Sequence, residues 1–277
     1  MKFKQLIKKL LEVRASCGAD KMKITFDLHG DYAESLHSRQ VLAQRDTNLL
    51  ESFEAIVKKL GDGFGGWALT QSSLRSLLAN IDPLQLTGEC CVLELGGGQS
   101  TLFWKELSEL FPGLTVTTWE HNQQFVDTLN NRVAGSSIRI EHRKLQQYSD
   151  AEWQKIFSCC NAKDIENTLA TSNPSNLSMS EYCNTRAHNV FYSVENIKIP
   201  NGKIDILVVD GPHGNGRSLA FAVFAKYFME GTIILIDDVS HYPFLEMLSK
   251  FVTFRILSTS FSLNKQWIVV RVESLID

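Results

Sequence analysis

Three groups of residues have the types and spacing to do chemistry. The first is Cys91-Val-Leu-Glu-Leu-Gly-Gly-Gly-Gln-Ser-Thr101, an apolar run that ends in Glu94 and three glycines. Gly96, Gly97 and Gly98 would let a backbone turn come close to a ligand, and the N–H groups of a following helix would face it. A dinucleotide turn of the form G-x-G-x-x-G uses its third glycine for tight helix–strand packing and rests a pyrophosphate on the helix. Thr101 stands at that third place here. Glu94, two residues before Gly96, suits a cationic ammonium better than a pyrophosphate. The second group is Glu120, 22 residues after Gly98 (120 − 98). An acid at that offset accepts hydrogen bonds from the hydroxyls of an adenosine ribose, which NAD and S-adenosylmethionine share. The third is Val208-Val-Asp-Gly-Pro-His-Gly-Asn-Gly-Arg217 together with Leu235-Ile-Asp-Asp-Val-Ser-His241. Asp210, Asp237 and Asp238 could converge as oxygen ligands for a hard divalent cation. The His213 imidazole, with its pKa near neutrality, suits the acceptance of a hydroxyl proton.

These residues need a scaffold, and the pattern from residue 90 onward supplies one. The apolar runs CCVLEL, TVTTWE, SIRIEH, KIDILVVD and GTIILID alternate with helical stretches at 101–110, 122–132, 217–229 and 242–251. Such alternation predicts right-handed βαβ units and a mostly parallel sheet with helices on both faces. Ligands bind such sheets outside the carboxyl ends of the strands. Those ends carry Glu94 and the glycines, Glu120, Glu141 and His142, Asp210, and the pair Asp237-Asp238. FRILSTSF and QWIVVRV, separated by Ser262-Leu-Asn-Lys265, predict a closing antiparallel hairpin.

Two further regions flank this pattern. Residues 1–85 read as a helical extension, and 86–277 as the α/β domain. The extension has a basic amphipathic helix in its first 25 residues, a second helix with Leu49, Leu50, Phe53, Ile56, Val57 and Leu60 on one face, and a third around Ser72 to Leu78. The first of these packs its apolar stripe on its own domain or touches an anionic membrane. Ser72 and Ser73 read as N-caps, with contact to a ligand carboxylate as the alternative. The stretch 145–202 is too long for an ordinary connection and reads as an insertion, partly helical near Trp153 to Phe157, of the kind that covers a substrate.

Composition narrows the classes. At 277 residues, with 44% apolar and 21% charged residues and a net charge of −3, the chain lacks the basic excess of a protein that binds nucleic acid through phosphates. Its six cysteines, at 17, 90, 91, 159, 160 and 183, include no C-x-x-C pair. They read as reduced thiols of a cytoplasmic protein rather than a zinc site or disulfide framework. No apolar run approaches the roughly 18 to 20 residues of a membrane helix.

Over 67–272 the chain resembles the class I S-adenosylmethionine-dependent methyltransferases. The matching pieces are VLELGGGQST, VTTWEHN, KIDILVVDGP, GTIILIDD and the closing hairpin. The resemblance implies a Rossmann-like methyltransferase fold, a seven-stranded mostly parallel sheet with a C-terminal antiparallel hairpin. It implies S-adenosylmethionine as cofactor, with Glu94, Gly96, Gly97, Gly98 and Ser100 at the methionine end, Glu120 at the ribose, and His121 and Glu141 beside the adenine. The acids after the fourth and fifth strands are similar to those of metal-dependent O-methyltransferases of catechols and sugars. That likeness implies a magnesium ion held by Asp210, Asp237 and Asp238 and a small-molecule or carbohydrate hydroxyl as acceptor. Asp210 and His213 would be the catalytic pair. Polyamine synthases share VLELGGG, but follow it with Asp and Gly where this chain has Gln99 and Ser100. Aminopropyl transfer and a non-catalytic nucleoside-binding protein are the alternative readings.

Overall fold

In a computed structural model of the protein, the described residues are 49–65, 68–159, 161–184, 188–240, 242–260 and 265–276. The expected basic helix at the start of the chain, Cys160, and most of the turn at 262–265 lie outside them. In chain order the strands are β1 (Cys90–Leu95), β2 (Leu114–Glu120), β3 (Ile138–His142), β4 (Leu145–Gln147), β5 (Ser175–Leu177), β6 (Val190–Tyr192), β7 (Ile206–Val209), β8 (Ile233–Ile236), β9 (Val252–Thr259) and β10 (Ile268–Leu275).

Seven strands form one sheet in the order β3-β2-β1-β7-β8-β10-β9. β1 pairs in parallel with β2 and β7, and β7 with β8, while β10 runs antiparallel to β8 and β9. The fold class read from the sequence is therefore the one observed. Every residue of β1, β7 and β8 is buried. This is why these strands read as continuous apolar runs, since a parallel strand covered on both faces has no solvent side to alternate with. The order reverses between β1 and β7: from β1 the chain winds outward through β2 and β3, then returns to β7 and winds the other way. The crevice outside the carboxyl ends of β1 and β7 is where an open sheet of this kind offers a site.

Helices cover both faces. On one lie 49–60, Gln71–Ala79 and Gln99–Leu110, whose Phe53, Leu74, Leu77, Phe103 and Leu107 share a core with Val92, Val116, Val208 and Leu235. The described part of the N-terminal extension thus packs directly on the sheet. On the other face, Leu219–Phe224 and Phe244–Leu248 join the insertion in a core that takes in Trp119, Ile156, Phe191 and Tyr192. Two helices are shorter than the sequence predicts. The stretch 217–229 contains α-helix only over Leu219–Phe224, flanked by 3₁₀ turns, and all six of its residues are buried, so it has no polar face to extend along. The last helix spans Phe244–Leu248, with Pro243 before it and no side-chain cap, so neither Asp237 nor Asp238 caps it.

The insertion is ordered into a small antiparallel sheet, β5-β4-β6, with helices Asp150–Ser158, Ala162–Thr171 and Met179–Asn184. Ser149 and Glu152 form a reciprocal capping box that starts the first of these. An amide pair ties the insertion to the loop after β7: Asn215 Nδ2 donates to Asn189 Oδ1 at 2.8 Å, and the Asn189 N–H donates to Asn215 Oδ1 at 2.7 Å.

Candidate functional site

A cleft of about 1040 Å³ opens at the carboxyl ends of β1, β2 and β7. Its walls include Gly96, Gly97, Gly98 and Ser100 after β1, Glu120 and His121 after β2, and Asp210 and His213 after β7. Nine residues singled out from the sequence thus meet in one place, Asp238 being the ninth. Glu94, Glu141 and Asp237 do not line it.

The glycine turn is built by contact rather than by flexibility alone. Gly96 has φ +95°, and a methyl group there would stand 2.9 Å from the Gly211 nitrogen. Only glycine allows the loops after β1 and β7 to touch backbone to backbone at that point. A methyl on Gly97 would stand 2.7 Å from Leu129. Gly98 differs: its backbone is extended and a methyl there meets nothing within 4 Å. The cleft side of the turn is therefore open at the start of helix Gln99–Leu110, where the unpaired N–H groups and the helix dipole favour a carboxylate.

Glu94 lies behind this turn, fully buried. Its Oε2 accepts hydrogen bonds from the Thr101 hydroxyl at 2.6 Å and the Thr118 hydroxyl at 2.8 Å. The Gly98 N–H in turn donates to Thr101 Oγ1 at 3.0 Å. Glu94, expected at a ligand ammonium, stands behind the turn and does not line the cleft. Oε2 is engaged from inside the turn while Oε1 has no hydrogen-bond partner among the described residues, and burial pushes the carboxyl above the usual carboxylate range while the surrounding donors pull it back. Thr101, read from the sequence only as a missing glycine, is the hub that joins the turn to that buried acid.

Glu120 is ready to receive a ligand. Its Oε1 accepts from the N–H groups of His121 and Asn122, both at 2.8 Å, and its Oε2 from the Gly97 N–H at 3.1 Å. Burial alone would raise its pKa, but the hydrogen bond and charge of His121 and these backbone donors hold it below the ordinary glutamate range. The anion keeps acceptor capacity on Oε2, because a carboxylate offers about four lone-pair sites. Beside it the His121 ring meets Tyr182 edge to face at 4.9 Å and Tyr192 at 6.3 Å.

Glu141, expected at an adenine edge, is held elsewhere. Arg139 pairs with its Oε1 at 2.6 Å and Arg143 with its Oε2 at 2.5 Å. Arg143 also stacks over Trp119 and donates to the carbonyls of Glu195 and Asn196, so Glu141 serves to anchor the return of the insertion. Local sequence puts an acid at the end of β3; only the fold reveals the two guanidinium groups that claim it.

The acids after β7 and β8 do not form the open oxygen nest expected for a magnesium ion. Asp210 and Asp237 interact with each other side chain to side chain. Lys265 Nζ lies 2.7 Å from Asp237 Oδ2, and Arg217, almost fully buried, pairs with Asp238 at 3.5 Å. Burial and the Asp237 charge push Asp210 well above the usual carboxylate range. Lys265 beside Asp237 and Arg217 beside Asp238 put two cations where the carboxylate ligands of a divalent ion would converge, an arrangement that does not favour such an ion. Among the described residues no three His, Cys, Asp or Glu side chains are grouped to hold a metal.

Two cleft residues that the insertion supplies carry no sequence motif. Tyr182, on helix Met179–Asn184, has its hydroxyl 2.7 Å from the His213 N–H, which it accepts. Tyr192, at the end of β6, is fully buried at the cleft floor. Thr70, not Ser72 or Ser73, caps helix Gln71–Ala79, and neither serine lines the cleft.

No family model matches the chain, and no curated protein matches it. Comparison with solved structures returns precorrin-6y C5,15-methyltransferase from Geobacter metallireducens, at 12% identity over 77% of this chain and 94% of that one, with a TM-score of 0.41. A putative O-methyltransferase from Klebsiella pneumoniae matches at 12% identity over 87% and 97%, with a TM-score of 0.40. An O-methyltransferase from Bacillus cereus in complex with SAH matches at 15% over 82% and 90%, with a TM-score of 0.37.

Proposed function

We propose that the cleft binds S-adenosylmethionine and that the protein transfers its methyl group to a hydroxyl of a small molecule or sugar. One observation carries the reading: the glycine turn, the free acceptor edge of Glu120 and the carboxyl of Asp210 line a single cleft at the switch point of the sheet. The open N-terminus of helix Gln99–Leu110 favours the methionine carboxylate, and Glu120 Oε2 the ribose. A pyrophosphate would need the tight packing that Thr101 and its hydrogen bonds to Gly98 and Glu94 replace.

In the reaction an acceptor oxygen attacks the methyl carbon as the carbon–sulfur bond breaks, and the sulfur keeps the electron pair. The attacking hydroxyl loses its proton to His213, which stands at the cleft wall on the loop after β7. Asp210, whose carboxyl also lines the cleft, orients the acceptor by hydrogen bonding to its hydroxyl. No metal enters this scheme.

Calorimetric titration with S-adenosylmethionine, S-adenosylhomocysteine, decarboxylated S-adenosylmethionine and NAD tests the reading. The first two should bind tightest. Tightest binding by NAD overturns the proposal, and preference for the decarboxylated compound transfers it to aminopropyl chemistry.

A further inference from the structure

The cleft has a buried polar atom that finds no partner among the described residues. Tyr192 Oη has no hydrogen-bond partner among the described residues, although its side chain is fully buried and lines the cleft. An unpaired buried hydroxyl is destabilising, so its place calls for an explanation. The ring itself is well packed, edge to face against Trp119 at 5.8 Å and Phe191 at 5.6 Å. Those contacts would be the same for phenylalanine.

The hydroxyl also sits at a particular point. A methyl group on Gly211 would stand 2.6 Å from it and 2.8 Å from the Gly96 Cα. Tyr192 Oη is therefore at the junction where the loops after β1 and β7 touch, beside the glycine turn. Glu120 and Asp210 are both close enough to oppose ionisation of the phenol, and burial opposes it more strongly still. The group stays neutral and keeps its lone pairs, with the Glu120 carboxylate on one side and the Arg217 guanidinium acting in the opposite sense. Glu94, the residue whose spacing best suited an ammonium, is turned away and held by Thr101 and Thr118.

We infer that Tyr192, supplied by the insertion, is a binding residue for the α-ammonium group of the cofactor, accepting its hydrogen bond at the Gly96–Gly211 junction. This rests on the reading of the cleft as an S-adenosylmethionine site. The insertion then completes the cofactor pocket itself, and the Asn189–Asn215 amide pair fixes β6 against the loop after β7 so that the hydroxyl is held in place.

The test is Tyr192→Phe with three probes measured by calorimetry. S-adenosylmethionine carries ammonium and carboxylate, its decarboxylated form carries only the amine, and 5′-methylthioadenosine carries neither. The variant should weaken the first two by about ten-fold or more, the loss expected for a hydrogen bond to a charged group, and leave the third within about two-fold. Its thermal stability without ligand should equal or exceed that of the parent, because an unpaired hydroxyl has been removed. Equal weakening of all three probes, weakening of S-adenosylmethionine alone, or no weakening overturns the assignment. If the unaltered protein binds none of the three, the reading of the cleft fails instead.

Discussion

The link from Gly98 through Thr101 to Glu94 makes a demanding prediction. Thr101→Val keeps the size and branching of a residue that is fully buried but removes the oxygen that accepts from Gly98 and donates to Glu94. Two buried polar groups then lose a partner, one of them a carboxyl. A hydrogen bond to a charged group contributes about 1.5–3 kcal/mol, and an orphaned buried donor adds to the loss, so about 2–4 kcal/mol of stability should disappear. Thr101→Ser keeps the oxygen and loses one methyl, which costs about 1 kcal/mol. Urea unfolding of the three proteins at several pH values is the assay. Burial already raises the Glu94 pKa and its donors pull it back; losing one donor raises it further. Above the ordinary glutamate range the folded variant then holds a proton that the unfolded chain has released, so its stability falls as pH rises. The valine penalty should therefore grow from pH 5 to pH 8. Equal costs for valine and serine, or a valine penalty that shrinks with pH, would refute the hub role of Thr101.

Three further outcomes are expected. Gly96→Ala, with a positive φ and a methyl 2.9 Å from backbone, should destabilise by about 2 kcal/mol or more, whereas Gly98→Ala should unfold at the parent's urea midpoint while weakening S-adenosylmethionine binding. Asp210 carries a raised pKa from burial and from Asp237, so the folded state binds the extra proton and stability falls as pH rises above the usual aspartate range; Asp210→Asn should flatten that slope in pH-dependent urea unfolding. Burial pushes the Cys90 thiol up to about 12 and that of Cys91 to about 11, so iodoacetamide at pH 8 followed by mass spectrometry should find both unmodified in the native protein while the exposed Cys183 reacts.

What the sequence revealed divides along a physical line. Features set by neighbours in the chain were legible: β1 as an unbroken apolar run, the turn after it, Glu120 at the end of β2, and the antiparallel close of β9 and β10. Features set by partners far along the chain were not. Glu94 and Glu141 have the spacing of ligand-facing acids, yet one is claimed by Thr101 and Thr118 and the other by Arg139 and Arg143. The same is true of Asp237, whose Oδ2 lies 2.7 Å from Lys265 in the loop between β9 and β10. Tyr182 and Tyr192 carry no motif at all. They matter because the insertion folds back over the cleft, and no periodicity near residue 190 encodes that return.

The central claim is the occupant of the cleft. A crystal structure of the protein grown with S-adenosylmethionine tests it most directly. A ribose hydroxyl should lie within about 2.5–3.0 Å of Glu120 Oε2, with the methionine end along Gly96 to Gly98. A ligand bound away from the glycine turn, or one that leaves Glu120 without a ribose contact, would contradict it.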